Sequence, residues 1–178
     1  MRRMTIPGVL VLLLGLLSAC TPPDKPLLAL SVQQGRPVGV LVTCGDGLAQ
    51  VSVYERTTGT PGTWSFVRWH VSGAPASEIV EVPLLGEPPA GWRLDDTRET
   101  PAPEAGETTR YEQLAALEPG VGYGLGGSTG VDDAVSITFT IADLDRLGPD
   151  EVLTAVEFGE PRIVSRDTFV ADARDSCG

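Results

Sequence analysis

Between Leu28 and Ile141 the apolar residues recur at every second position in short runs, and this period restricts the fold more than any other feature. Leu28, Leu30 and Val32 alternate with other residues, as do Val38, Val40 and Val42. Val51 and Val53 follow, then Val67, Trp69 and Val71, then Val80, Val82 and Leu84. The cleanest run sets Val135, Ile137, Phe139 and Ile141 against Ser136, Thr138 and Thr140. A period of two sends successive side chains to opposite sides of an extended strand, so each run reads as a strand with one buried face. Turn-forming residues separate the runs at Gly35-Arg36-Pro37, at Cys44-Gly45-Asp46-Gly47 and from Thr57 to Gly62. No helical spacing occurs up to Leu84. An all-β domain of about seven to nine short strands with minimal helix is expected.

Gly86 to Glu107 breaks the rhythm. It is rich in Pro, Glu and Gly, with only Trp92 and Leu94 able to bury surface. A loop this long is either a solvated excursion anchored by Trp92 or a binding loop presenting Trp92, Arg93 and Arg98. Ala142 to Asp150 reads as polar chain with a single helical turn around Leu144 and Leu147. Val152 to Phe158 reads as a last strand, and Arg162 to Gly178 as a tail.

Leu117-Glu118-Pro119-Gly120-Val121-Gly122-Tyr123 fits Leu-x-Pro-Gly-x-x-Tyr. This resembles the tyrosine corner of fibronectin type III and related immunoglobulin-like sandwiches. The resemblance implies a two-sheet sandwich, with the Tyr123 hydroxyl bonded to backbone a few residues upstream and Leu117 plugging the core. It covers seven residues and the strand rhythm. The long 86–107 stretch and everything after residue 141 depart from it.

At the other end, Arg2 and Arg3 precede an apolar run from Val9 to Leu17, too short to cross a bilayer of about 30 Å as a helix. The run ends in Leu17-Ser18-Ala19-Cys20, which resembles the lipobox of bacterial lipoproteins. That resemblance implies removal of residues 1–19, a diacylglycerol thioether on Cys20 and fatty acylation such as palmitate. The chain would then be exported and lipid-anchored on the extracytoplasmic face of the membrane. Residues 20–26, with Pro22, Pro23 and Pro26, form an extended tether reaching about 20 Å at polyproline spacing, and residues 27–178 form one domain.

Without Arg2 and Arg3, eleven basic residues face 24 acidic ones, a formal balance of −13. So acidic a surface excludes nucleic acid as a partner. With Cys20 lipidated, Cys44 and Cys177 remain, and in an oxidising compartment they are expected to form a disulfide tying the C-terminus to an early strand.

Catalytic and metal motifs fail by context. Gly126-Gly127-Ser128-Thr129-Gly130 fits Gly-x-Ser-x-Gly, but a nucleophile elbow needs a later histidine, and the sole histidine, His70, comes earlier, so the stretch reads as a glycine-rich loop between two strands. Gly122, Gly124 and Gly127 fit Gly-x-Gly-x-x-Gly without the βαβ unit that motif requires. Asp143, Asp145 and Gly148 begin a calcium loop that Leu147 and Thr154 then break. His70 has no second histidine or free cysteine to share a metal. No cofactor, metal or catalytic residue is expected. Trp64, Phe66, Arg68 and His70 share one strand face, Trp69 the other. With Trp92, the four form the candidate binding patch, suited to a protein partner or glycan. The reading is a membrane-proximal, lipid-anchored, non-catalytic interaction module, accessory to an envelope or membrane protein. The alternatives are an envelope hydrolase using His70 with a carboxylate and a small-ligand-binding lipoprotein.

Overall fold

A computed structural model describes residues 24–45, 47–56, 63–95, 108–130, 132–156 and 160–177, with backbone alone at 63–66 and 108–111. The signal segment, Cys20, most of the tether and residues 96–107 fall outside the described residues.

The chain forms an all-β sandwich. Twelve strands run through the described residues: β1 (Leu28–Gln33), β2 (Arg36–Val42), β3 (Ala49–Glu55), β4 (Thr63–Gly73), β5 (Ile79–Pro83), β6 (Trp92–Leu94), β7 (Thr108–Gln113), β8 (Tyr123–Thr129), β9 (Asp132–Asp133), β10 (Ile137–Phe139), β11 (Glu151–Thr154) and β12 (Arg162–Ser165). Helix α1 spans Ile141–Leu144 and helix α2 Arg166–Ser176. The first sheet has the order β12-β11-β1-β2-β5. The second has β10-β8-β3-β4-β6, with β9 added to β8 and β7 to β4. Pairing is antiparallel except between β4 and β7.

The expected alternation places the core. Leu28 and Leu30 pair with Leu41 and Gly39, and a Cβ on Gly39 would meet Val51 of the second sheet, so these positions face inward. Val51, Val53, Trp69, Val71, Tyr123 and Leu125 answer from the second sheet and are buried. The β1–β2 hairpin closes on Gln34 (φ +52°) and Gly35 (φ +74°), and two consecutive positive φ values make the primed turn whose twist matches its strands.

Val38, Val40 and Val42 sit on the opposite side of β2 from the inward-facing Gly39 and Leu41, yet they are 4%, 0% and 0% exposed. They face outward from the sandwich and are covered by α2, which packs on β2, β11 and β12 through Phe169, Val170 and Ala173. The segment read as a tail is therefore a strand and an amphipathic helix. Ser165 caps α2, its hydroxyl accepting from the Thr168 amide at 3.2 Å, and Asp167 lies in the first turn. Arg174 donates two hydrogen bonds to Glu78 (2.7 and 2.9 Å), holding that carboxyl below its usual range. Arg166 pairs with Glu81 at the other end of the helix, and Glu81 is lowered first by a bond from Gln33 and then by Arg166. Cys44 and Cys177 are joined as a disulfide, their Cα atoms 5.1 Å apart, and fasten the end of α2 beyond β2.

Tyr123 accepts a hydrogen bond from the Glu118 amide at 2.7 Å and stacks obliquely on Phe139, while Leu117 is half-buried against the core. After β10 the chain makes the single turn α1. The Asp143 carboxylate accepts from both the amide and the hydroxyl of Thr140 (2.9 and 2.8 Å), a cap rather than a cation ligand.

Two outcomes follow. Phe169→Ala removes the main apolar contact of α2 and lowers stability by about 3–5 kcal/mol in urea unfolding. Cys44→Ser/Cys177→Ser frees a chain separation of 133 residues and destabilises by about 5 kcal/mol on the chain-entropy model, read as a lower midpoint than the oxidised protein.

Candidate functional site

With α2 on the first sheet, the outer face of the second carries no helix among the described residues, and on it Gln50 and Arg93 are exposed, Tyr54, Arg68 and His70 half-buried and Ser72 buried. Parity along β3 sends Gln50, Ser52 and Tyr54 outward, since Val51 and Val53 are core. On β4, Arg68 pairs with Tyr54, His70 with Ser52 and Ser72 with Gln50, so they share this face. β6 adds Arg93, the partner of Ser72, and the chain just beyond it adds Asp95.

His70 and Asp95 form the tightest cluster. The Asp95 amide donates to the His70 carbonyl at 3.0 Å, continuing the ladder, and the imidazole Nε2 lies 3.1 Å from Oδ2. The other oxygen, Oδ1, takes the Arg93 Nε at 3.0 Å. Asp95 stands where two strands share one edge of β4. β6 pairs along Val71 to Gly73, and β7 follows along Thr63 to Arg68, with the Leu114 amide reaching the Arg68 carbonyl at 2.9 Å. The His70 side chain is 16% exposed. Its pKa is held below the ordinary 6.5, first by burial, with the Asp95 carboxylate pulling it up and Arg68 pushing it down.

A row of side chains thus crosses three strands, from the Ser52 hydroxyl to the His70 imidazole to the Asp95 carboxylate. Among the described residues Ser52 and His70 share no hydrogen bond. Next along β3, Tyr54 lies across its partner Gly124: a Cβ there would fall 2.2 Å from the Tyr54 Cζ. Glycine at 124 is what lets the ring lie over β8. Arg56 extends the row, its amide donating to Gly122 and its guanidinium to the Thr138 hydroxyl at 2.9 Å. No described carboxylate pairs with it.

No protein-family model matches this chain, and no curated protein or solved structure gives a significant match.

The expected patch divides. Arg68 and His70 lie on the outer face, half-buried. Trp64 and Phe66 are on β4, and their side chains fall outside the described residues. Trp92 is not with His70: it pairs with Gly73 on the inward side, its ring where a Gly73 Cβ would be (2.5 Å), and packs against the core. Tyr54 and Arg56 are not among the residues expected from the sequence, although they carry the period-two pattern of β3 outward; Asp95 reads there as half of a solvated acidic pair, Asp95-Asp96. Among the described residues no three His, Cys, Asp or Glu side chains cluster to hold a metal. An open apolar groove of about 580 Å³ lies at the far end of β1, lined by Val32, Leu84, Leu85, Leu117, Ile141 and Leu144 among others.

His70 is the sole histidine, so its imidazole protons give one unambiguous NMR titration. The midpoint is expected below 6.5, and Asp95→Asn lowers it further by removing the charge that pulls it up. The folded chain therefore takes up this proton after the unfolded one. Stability from neutral His70 is present above about pH 6.5 and is lost as pH falls through that value. His70→Gln removes that part of the pH dependence, measured as unfolding midpoints at pH 7.5 and 5.5.

Proposed function

We propose that the protein is a lipid-anchored, non-catalytic binding module of the cell envelope, with the outer face of the second sheet as its recognition surface. One observation carries the reading: α2 covers the first sheet, while the second presents paired polar, tyrosine and arginine side chains. The domain itself is best read as immunoglobulin-like with a C-terminal addition. Strand order β1-β2-β5 against β10-β8-β3-β4, with Tyr123 bonded back to Glu118, supports that reading. The anchor rests on Leu17-Ser18-Ala19-Cys20. The fold takes up the chain soon after, since the Lys25 amide donates to Asp133 and its ammonium lies 3.0 Å from Asp132. A short tether would hold the recognition face beside membrane partners.

The test is in-cell cross-linking of wild type and Cys20→Ala, with membrane fractionation and mass spectrometry. Wild type is expected in the membrane fraction with a reproducible cross-linked component, and Cys20→Ala is expected to be released and to lose it. Wild type in the soluble fraction overturns the anchor, and a membrane-held protein with no cross-linked component overturns the interaction module.

The Ser52, His70 and Asp95 row favours a second reading, hydrolysis with His70 as general base oriented by Asp95. The strands around it weigh the other way. β3 is paired on both edges and the His70 carbonyl already accepts from the Asp95 amide, so the Ser52 amide is committed to its ladders and is not free as an oxyanion donor. Ester turnover by wild type that disappears in both His70→Ala and Ser52→Ala would install the hydrolase in place of the binding module.

A further inference from the structure

We propose that the row Arg56–Tyr54–Ser52–Gln50, continued across β4 to Arg93, binds a linear glycan whose carboxylate or phosphate sits against Arg56. This rests on the reading of the outer face as the recognition surface and names its ligand.

The composition of the face selects the ligand class. Protein interfaces have an apolar, desolvated core within a polar rim. Along the paired outward positions of β3, β4, β6 and β8, the described side chains include no aliphatic group. Serine and glutamine hydrogen-bonding groups lie there instead, beside the Arg93–Asp95–His70 cluster. Such a surface matches a polyhydroxylated ligand, which satisfies many weak donors and acceptors and buries little hydrocarbon. Tyr54 adds an aromatic ring, and it suits a sugar: the ring is laid across Gly124, a broad surface against which a sugar's C–H face can pack.

Geometry sets the shape. Arg56 and Gln50 are six positions apart on one strand, and Arg93 lies two strands over at the level of Gln50. At about 3.4 Å per residue and about 4.8 Å between strands, Arg56 and Arg93 stand about 22 Å apart. Tyr54 and Ser52 lie between them, so the row fits an extended chain.

Charge places the acidic group. Arg93 already shares Asp95, whereas the guanidinium of Arg56 rests on a neutral hydroxyl. A guanidinium fork recognises carboxylate or phosphate with two parallel bonds. The chain's net charge of −11 opposes a distant polyanion. At physiological ionic strength that field is screened beyond about 8 Å, leaving the local guanidinium to decide for a short oligomer.

The experiment measures binding of the full chain in detergent to three oligosaccharides: oligogalacturonate, phosphorylated maltodextrin and unmodified maltodextrin. At least one acidic oligomer is expected to bind about tenfold tighter than the neutral one. Arg56→Gln abolishes that preference, while Tyr54→Ala and Arg93→Gln weaken acidic and neutral oligomers alike. Arg146→Gln, on α1's flank, changes nothing. Whichever acidic oligomer wins identifies the acid as carboxylate or phosphate. Equal binding of all three, or a preference that survives Arg56→Gln, overturns the acidic assignment. Binding of none overturns the glycan. If a cross-linked membrane protein is then lost in Tyr54→Ala and Arg56→Gln, the face serves a protein and the binding-module reading survives. Thermal melts of each variant exclude unfolding, and the wild-type preference itself decides should a variant melt early.

Discussion

Strands β1 and β2 are buried on both faces, and the rest of the molecule follows from that. A strand in a two-layer sandwich has one face for the core and one for water. Here the outward Val38, Val40 and Val42 are as dry as the inward Leu28, Leu30 and Leu41. Something must cover them, and α2 does so. The helix is short and carries only Phe169, Val170 and Ala173 as buried residues, too little apolar surface to hold an 11-residue helix in place alone. The Arg166 and Arg174 pairs and the Cys44–Cys177 bond fasten both its ends to the sheet it covers. Exposed pairs of this kind contribute little each. The disulfide carries most of the fastening.

The two sheets consequently have different duties. One is a sealed layer between a helix and a core. The other keeps its outer face in contact with solvent and spends its side chains on polar pairs. Tyr54 over Gly124 and Asp95 against His70 both hold that face in one arrangement, the first by packing and the second by a ladder bond with a side-chain contact. A surface fixed in this way loses little freedom on meeting a ligand.

Much of the fold was legible in the sequence because it is written in a period of two. Strands β1 to β5, the centre of β10, the single turn at Leu144 and the Cys44–Cys177 pairing follow from local pattern or cysteine count, and the Tyr123 bond to backbone from the resemblance to a tyrosine corner. β6, β7 and the glycine-rich β8, which reads as a loop, carry no such pattern, and Ile141 opens α1 instead of ending a strand. The two-sided burial was not legible: Val38, Val40 and Val42 show the same alternation whichever layer they face. Phe169, Val170, Ala173 and Cys177 do fall at helical spacing behind a Ser165 cap, yet polar residues dominate the segment and mask it. The site was legible only in part. His70 and Arg68 stood out by residue type. Asp95 joins them through a cross-strand register that no local window contains, and Trp92 turns inward because Gly73 opposite it has no side chain.

The disulfide also sets when this protein can finish folding. β1 lies between β2, its neighbour in sequence, and β11, which begins at Glu151, and the bond to Cys44 waits for Cys177, 133 residues on. A chain made or moved from its N-terminus first therefore shows its earliest strands to solvent, three valines uncovered, until α2 has appeared. Early β1–β2 hairpins have no layer to lie against in that interval, and their open edges are available to any neighbouring strand. Completion waits on β11, β12 and α2, which close over β1 and β2.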